Sequence, residues 1–100
     1  MTVLIYDILR AAGTPLTAGE LAQLLQVTPR VITRRIEQER RSGYPIAAGC
    51  GEGRRGYYAA GSREQMLRYC QELQNRLNTI NRTLQSCLTA AEALPSERVL

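Results

Sequence analysis

Arginine is the residue type with the most chemistry to offer in this chain of 100 residues. All thirteen basic side chains are arginine, set against nine acids, for a formal charge of +4. The excess is local. Residues 28–63 hold eight arginines (30, 34, 35, 40, 41, 54, 55 and 63) against Glu37, Glu39 and Glu52, whereas the segments on either side are close to neutral. A concentrated guanidinium patch is the electrostatic footprint of a phosphate-backbone binder. The bland alternative is a solvated arginine-rich surface drawn from a GC-rich genome, which would also account for the missing lysine.

Other chemistries lack their residues. With no histidine there is no ordinary general base near neutral pH and no Ser-His-Asp or Cys-His arrangement. With no lysine there is no P-loop lysine and no Schiff base. Cys50, Cys70 and Cys87 form no C-x-x-C pair and are odd in number, which argues against a disulfide framework and against a zinc site. The chain is therefore expected to be no enzyme and to need no cofactor or metal. No apolar run approaches the roughly 20 residues that span a bilayer, and Met1 to Leu9 lacks the marks of a signal peptide, so the expected compartment is the cytoplasm and no membrane partner is expected. The length suits a domain with a modest core.

The elements that would position the arginines follow from periodicity and capping residues. Leu4, Ile5, Ile8, Leu9 and Ala12 recur at helical spacing after Thr2, a possible cap, and Gly13 ends that helix. Thr17 with Glu20 forms a capping box that starts a second helix at Ala18, with Leu21, Leu24 and Leu25 as its inner face. The pattern breaks at Gln26-Val27, and Thr28-Pro29 restarts a third helix over residues 29–42, ended by Gly43. On that helix Ile32 and Ile36 lie together, while Arg30, Arg34 and Arg41 fall on the opposite face with Glu37 among them. A short helix, a tight turn and an arginine-faced helix are the parts of a helix-turn-helix, whose second helix enters the DNA major groove.

Residues 45–48 and 57–60 read as two short strands around a flexible turn at 49–56, a ribbon with Arg54 and Arg55 at its tip. The glycines of that turn are no phosphate cradle, because no helix follows them. From Leu16 through Tyr58, and most specifically in Val27-Thr28-Pro29-Arg30-Val31-Ile32-Thr33-Arg34-Arg35-Ile36 and in the passage from Gly43-Tyr44-Pro45-Ile46 to Gly56-Tyr57, the chain resembles the winged helix-turn-helix of biotin repressors and DeoR-type regulators. The resemblance runs from Val3 to Ala60. It implies DNA contacts at Thr28, Arg30, Thr33 and Arg34 and at the wing residues Arg54 and Arg55, to which the basic face adds Arg41. A counterpart of the family's catalytic or effector domain is not expected among these residues, so neither biotin transfer nor small-molecule sensing is expected to carry over. Where the family usually has leucine, this chain has Glu39, at a helical angle close to Ile32 and Ile36. A carboxylate there must be paired, since an unpaired buried charge costs several kcal/mol; the expected partners are Arg35 or a neighbouring subunit.

Ser62 and Gln65 form a second capping signature, and no glycine or proline interrupts the chain from Arg63 until Pro95. Met66, Cys70, Leu73, Leu77, Ile80, Leu84, Cys87, Ala91 and Leu94 alternate at intervals of four and three, with Leu67 and Leu88 widening the seam. That is the heptad repeat of a coiled coil. The fold expected is mainly α with a small β-ribbon: a winged helix-turn-helix over residues 1–61, a C-terminal dimerisation helix over 62–95 and a tail over 96–100. The function expected is a dimeric, sequence-specific binder of double-stranded DNA that regulates transcription. The alternative is a winged-helix protein-interaction module, such as a small inhibitor or accessory factor of a mobile element, whose arginine face meets another protein.

Overall fold

A computed structural model describes residues 3–51 and 53–96. Thr2, Glu52 and the end of the tail lie outside the described residues, and with them the expected Thr2 cap. The elements are α1 (Ile5–Ala12), α2 (Ala18–Leu25), α3 (Pro29–Arg41), β1 (Ile46–Gly51), β2 (Arg54–Ala59) and α4 (Arg63–Ala93). Three helices followed by an antiparallel ribbon and a long helix make a winged helix-turn-helix with a C-terminal helical extension. The chain divides into two compact units, Met1–Tyr69 and Cys70–Leu100.

In the first unit, Ile5 and Leu9 of α1, Leu21 and Ala22 of α2, Ile32 and Ile36 of α3 and Ile46 of β1 form one buried cluster. Each helix thus contributes one apolar stripe. Tyr6, Ile8, Leu16, Leu25, Tyr44 and Tyr57 close its edges, and the rings of Tyr6 and Tyr44 meet with centroids 5.4 Å apart. Leu24, expected on the inner face of α2, is instead 63% exposed. Eight residues give barely two turns, and Leu21, Ala22 and Leu25 fill the side that faces the core. Ala12 is likewise exposed, as the last residue of α1.

The ends of the helices are set by local chemistry. Thr17 and Glu20 complete the capping box, each side chain accepting the other's backbone N–H, at 3.1 and 3.0 Å. Gly13 ends α1 in the left-handed region at φ 67°, which an L side chain adopts reluctantly. The N terminus of α1 is capped from a distance. Leu4 stands at the N-cap with no side-chain bond of its own, and the Glu39 carboxylate accepts the N–H groups of Ile5 and Tyr6, both at 2.8 Å. Glu39 is 6% exposed. The expected pairing with Arg35 or another subunit is thereby corrected: the charge meets two unsatisfied amides at the positive end of a helix, and Arg35 donates to the Val3 carbonyl instead.

The ribbon extends further than its apolar residues suggest. β1 and β2 pair from Ile46 with Ala59 to Gly51 with Arg54, so only two residues of the chain separate the strands. Gly49 and Gly56 face each other within the ladder, and it is the absence of a side chain at Gly56 that lets the ladder pass close to other backbone. A Cβ on Gly56 would lie 2.6 Å from the Leu16 carbonyl carbon and oxygen. There Leu16 and Tyr57 exchange two backbone hydrogen bonds, at 2.9 and 2.7 Å, which dock the wing onto the loop before α2.

The first two turns of α4 belong to this same unit. Ser62 Oγ accepts the Gln65 N–H at 3.2 Å, and Gln65 reaches back to the N–H of Gly61. Tyr69 is buried, and its hydroxyl accepts a bond from Arg40 at 3.1 Å. The same guanidinium donates to the Ile46 carbonyl at 2.9 Å and lies 5.1 Å from the Tyr69 ring centroid and 5.7 Å from that of Tyr57. Arg40 therefore ties α3, the wing and the start of α4 together through hydrogen bonds and cation–π contact. The second unit, taken by itself, is the remainder of α4 and the residues after it, and every described residue from 70 to 96 is exposed in the single chain.

Candidate nucleic-acid interface

Helix α3 starts where Thr28 caps it, its hydroxyl oxygen accepting the Val31 N–H at 3.4 Å, with Pro29 at the first helical position. The turn before it is tight. Gln26 adopts the left-handed region at φ 56°, and its N–H and that of Val27 both reach the Ala22 carbonyl. That conformation costs a non-glycine residue about 1 kcal/mol or more, and it swings the chain from α2 into α3 within three residues.

Burying Ile32, Ile36 and Glu39 on one side of α3 leaves Arg30, Thr33, Arg34, Glu37 and Arg41 together on the other, all exposed. With four residues rising about 6 Å along a helix, Arg30, Arg34 and Arg41 form a file of guanidinium groups with one carboxylate, Glu37, set into it. Among the described residues the only ion pair is Arg54 with Glu20. The guanidinium groups of Arg30, Arg34, Arg41 and Arg55 have no hydrogen bond or ion pair to any described residue. They are free for a ligand of opposite charge.

The hydroxyls differ in what they can offer. Thr28 uses a lone pair as a cap and keeps its O–H as a donor, which suits a phosphate oxygen. Thr33 donates its O–H to the Pro29 carbonyl at 3.1 Å, so outward it presents a methyl group and lone pairs. Arg54 and Arg55 stand at the start of β2, beside the turn, and only Arg55 is unengaged. Arg54 reaches across to the carboxylate of Glu20 in the first turn of α2. The Thr17 backbone N–H, and after it the Arg54 guanidinium, hold the Glu20 carboxyl below its ordinary value.

Sequence reasoning missed three engagements: Glu20 with Arg54, Glu39 with the start of α1, and Arg40 with the two tyrosines. Two of the eight arginines in the basic segment, Arg35 and Arg40, serve backbone carbonyls within the fold. Glu39 carried a signal, since a carboxylate at a core angle demands donors. The other two pairings join residues 34 and 29 positions apart, and no local pattern announces them.

Of the seam residues, Met66 lies partly buried in the first unit, and Leu73, Leu77, Ile80, Leu84, Leu88 and Leu94 are exposed along α4 together with Cys70, Cys87 and Ala91. Cys70 and Cys87 are free thiols. No described helix is long and apolar enough to cross a membrane.

No curated protein and no solved structure matches the chain. The likeness to biotin repressors and DeoR-type regulators rests on the motif residues alone. At the level of the domain the match is clear: residues 4–58, more than half of the chain, fit the family described as HTH domain, and the protein belongs to this family of DNA-binding helix-turn-helix domains.

Proposed function

We propose that this protein is a cytoplasmic, dimeric, sequence-specific binder of double-stranded DNA that regulates transcription. The observation that carries the reading is the file of free guanidinium groups on the exposed face of α3, directly after a helix-turn-helix turn. Arg30 and Arg34 read base edges or clamp phosphates in the major groove, Thr28 donates to a phosphate, and Arg41 tracks the backbone further along. Thr33, whose hydroxyl proton is already used, offers its methyl group to a thymine or its lone pairs to an adenine or cytosine amino group. Arg55 follows the neighbouring backbone or minor groove, and Arg54 joins it on leaving Glu20. The apolar stripe of α4 supports the dimer, and a two-fold dimer calls for an inverted repeat with half-sites about 10 bp, or a multiple, apart.

Fluorescence anisotropy with labelled duplexes, at several salt concentrations, tests the assignment. Four or five phosphate contacts per subunit give a slope of log affinity against log salt of about −4, and about twice that for a dimer. Arg34→Ala is expected to cost about 1–3 kcal/mol on the preferred site and to relax specificity there. An Arg34→Ala protein that binds every duplex as the parent does would remove Arg34 from the interface.

A further inference from the structure

Beyond Tyr69, helix α4 carries a stripe of large apolar side chains in solvent. Leu73, Leu77, Ile80, Leu84, Leu88 and Leu94 are between 42% and 69% exposed. At roughly 60–120 Å² of apolar surface for each such side chain, six per copy bring about 700–1,400 Å² to a symmetric pair. Cys70, Cys87, Ala91 and the flanking stems add to that, which reaches the roughly 1,200–2,000 Å² of a specific interface. A second copy is thus a sufficient cover.

The order of sizes along the stripe selects how that copy lies. From residue 70 to 94 the seam reads Cys70, Leu73, Leu77, Ile80, Leu84, Cys87, Ala91, Leu94, with its small residues at the first, sixth and seventh places. Parallel, in-register pairing sets Cys70 on Cys70, Cys87 on Cys87 and Ala91 on Ala91, leaving three underfilled layers. Antiparallel pairing about residue 82 sets every small residue against a large one, which is how facing layers reach interior density. We infer that α4 pairs antiparallel with a second copy of this chain, Cys70 against Leu94, Leu73 against Ala91, Leu77 against Cys87 and Ile80 against Leu84 of the partner subunit. The inference rests on the dimeric reading above and adds to it an orientation and a register.

The flanks agree with that register. Arg76 falls beside Ala90, Asn81 beside its own copy and Thr83 beside its own copy, so no like charges are brought together. A shift of one heptad sets Cys70 against Cys87 and recruits Met66, which is already partly buried in the first unit. The inferred register also separates the two Cys70 positions by about 36 Å along the seam, close to one turn of B-DNA at roughly 34–36 Å.

The protein's own thiols make the test. Sedimentation equilibrium of the full chain first fixes its stoichiometry. Mild oxidation followed by mass mapping of linked peptides is then applied to the parent, to Leu77→Cys and to Asn81→Cys, the last of which leaves the whole seam intact. The expected result is a dimer whose parent form gives no Cys70–Cys70, Cys87–Cys87 or Cys70–Cys87 link. In Leu77→Cys the new thiol joins Cys87 of the partner subunit, in Asn81→Cys the new thiol joins its own copy, and covalent dimer rises at least several-fold in each. Cys70–Cys70 or Cys87–Cys87 links in the parent would establish a parallel pair and overturn the inference. A Cys70–Cys87 link would overturn the register, as would a dimer in which neither variant cross-links. A monomer at every concentration would remove the dimeric reading itself.

Discussion

Replacing Glu39 by glutamine preserves the side chain's volume, removes its charge and turns one of its two acceptors into a donor. Both oxygens are in use, one on the buried N–H of Ile5 and one on the N–H of Tyr6, each at 2.8 Å. The new amide NH2 must therefore face one of these N–H groups, and the remaining oxygen bonds the other without a full charge. A hydrogen bond to a charged group contributes about 1.5–3 kcal/mol, and a buried donor left unmade costs about 1–3 kcal/mol. Losing one such bond and weakening the other comes to about 2–4 kcal/mol, a large share of the stability of a small domain. The assay can be confined to the winged unit, because all five tyrosines, Tyr6, Tyr44, Tyr57, Tyr58 and Tyr69, lie in it and the chain has no tryptophan. Urea unfolding followed by tyrosine fluorescence, at one protein concentration, is expected to give a lower midpoint with an unchanged slope. Thermal unfolding is expected to fall by about 10 °C or more, at roughly 4–8 °C per kcal/mol for a domain of this size. Glu37→Gln, on the exposed face of the same helix, serves as the control and should stay within about 0.5 kcal/mol of the parent. A Glu39→Gln protein as stable as the control would refute the capping of α1 by this carboxylate.

The depressed Glu20 carboxyl makes the fold pH-sensitive in one direction: its stabilising effect is present above the unfolded carboxylate range and is lost as pH falls through the lower folded value. The stability gap between the parent and Glu20→Gln, followed by urea midpoints, should therefore close on acidification, and a gap that is constant with pH would contradict it. The same variant frees Arg54, so its salt slope on duplex DNA should steepen by up to about 0.9 if that guanidinium then neutralises a phosphate. Gln26→Gly relieves the left-handed residue between α2 and α3 and should raise stability by about 0.5–1 kcal/mol, read from the urea midpoint. Gly56→Ala drives a methyl group into the Leu16 backbone and should cost about 1–3 kcal/mol; amide hydrogen exchange should then accelerate at Leu16 and Tyr57, and unchanged protection there would count against the wing's docking.

Much of the helical frame is legible in single residues. Thr17 with Glu20, Thr28 with Pro29, and Gly13 each mark an end that the structure realises, because caps act within three or four positions along the chain. The exposed file on α3 is equally legible, since burying Ile32 and Ile36 leaves Arg30, Arg34 and Arg41 no other side. What escaped depends on contacts across the fold. Leu24 matches the apolar pattern of α2, yet Leu21, Ala22 and Leu25 take the side that packs on the core, and at about 100° per residue Leu24 falls on the flank turned away from Ala22 and Leu25. The ribbon runs through glycines that read as a loop, because pairing Gly49 with Gly56 is favoured by the approach of Leu16 and by no side chain of their own. Counting charge overstated the basic surface: Arg35, Arg40 and Arg54 are held by a carbonyl, by a carbonyl and a tyrosine, and by a glutamate. Net charge located the patch without distinguishing guanidinium groups that face solvent from those that brace the fold.

Selection from a random-sequence duplex library at two salt concentrations, with sequencing of the retained DNA, tests the central claim most directly. The account predicts enrichment of an inverted repeat, affinity that falls steeply as salt rises, and loss of the enriched positions when Arg30 and Arg34 are both replaced by alanine. No DNA retained at either salt would contradict it, and the arginine face would then be the surface on which to look for a protein partner.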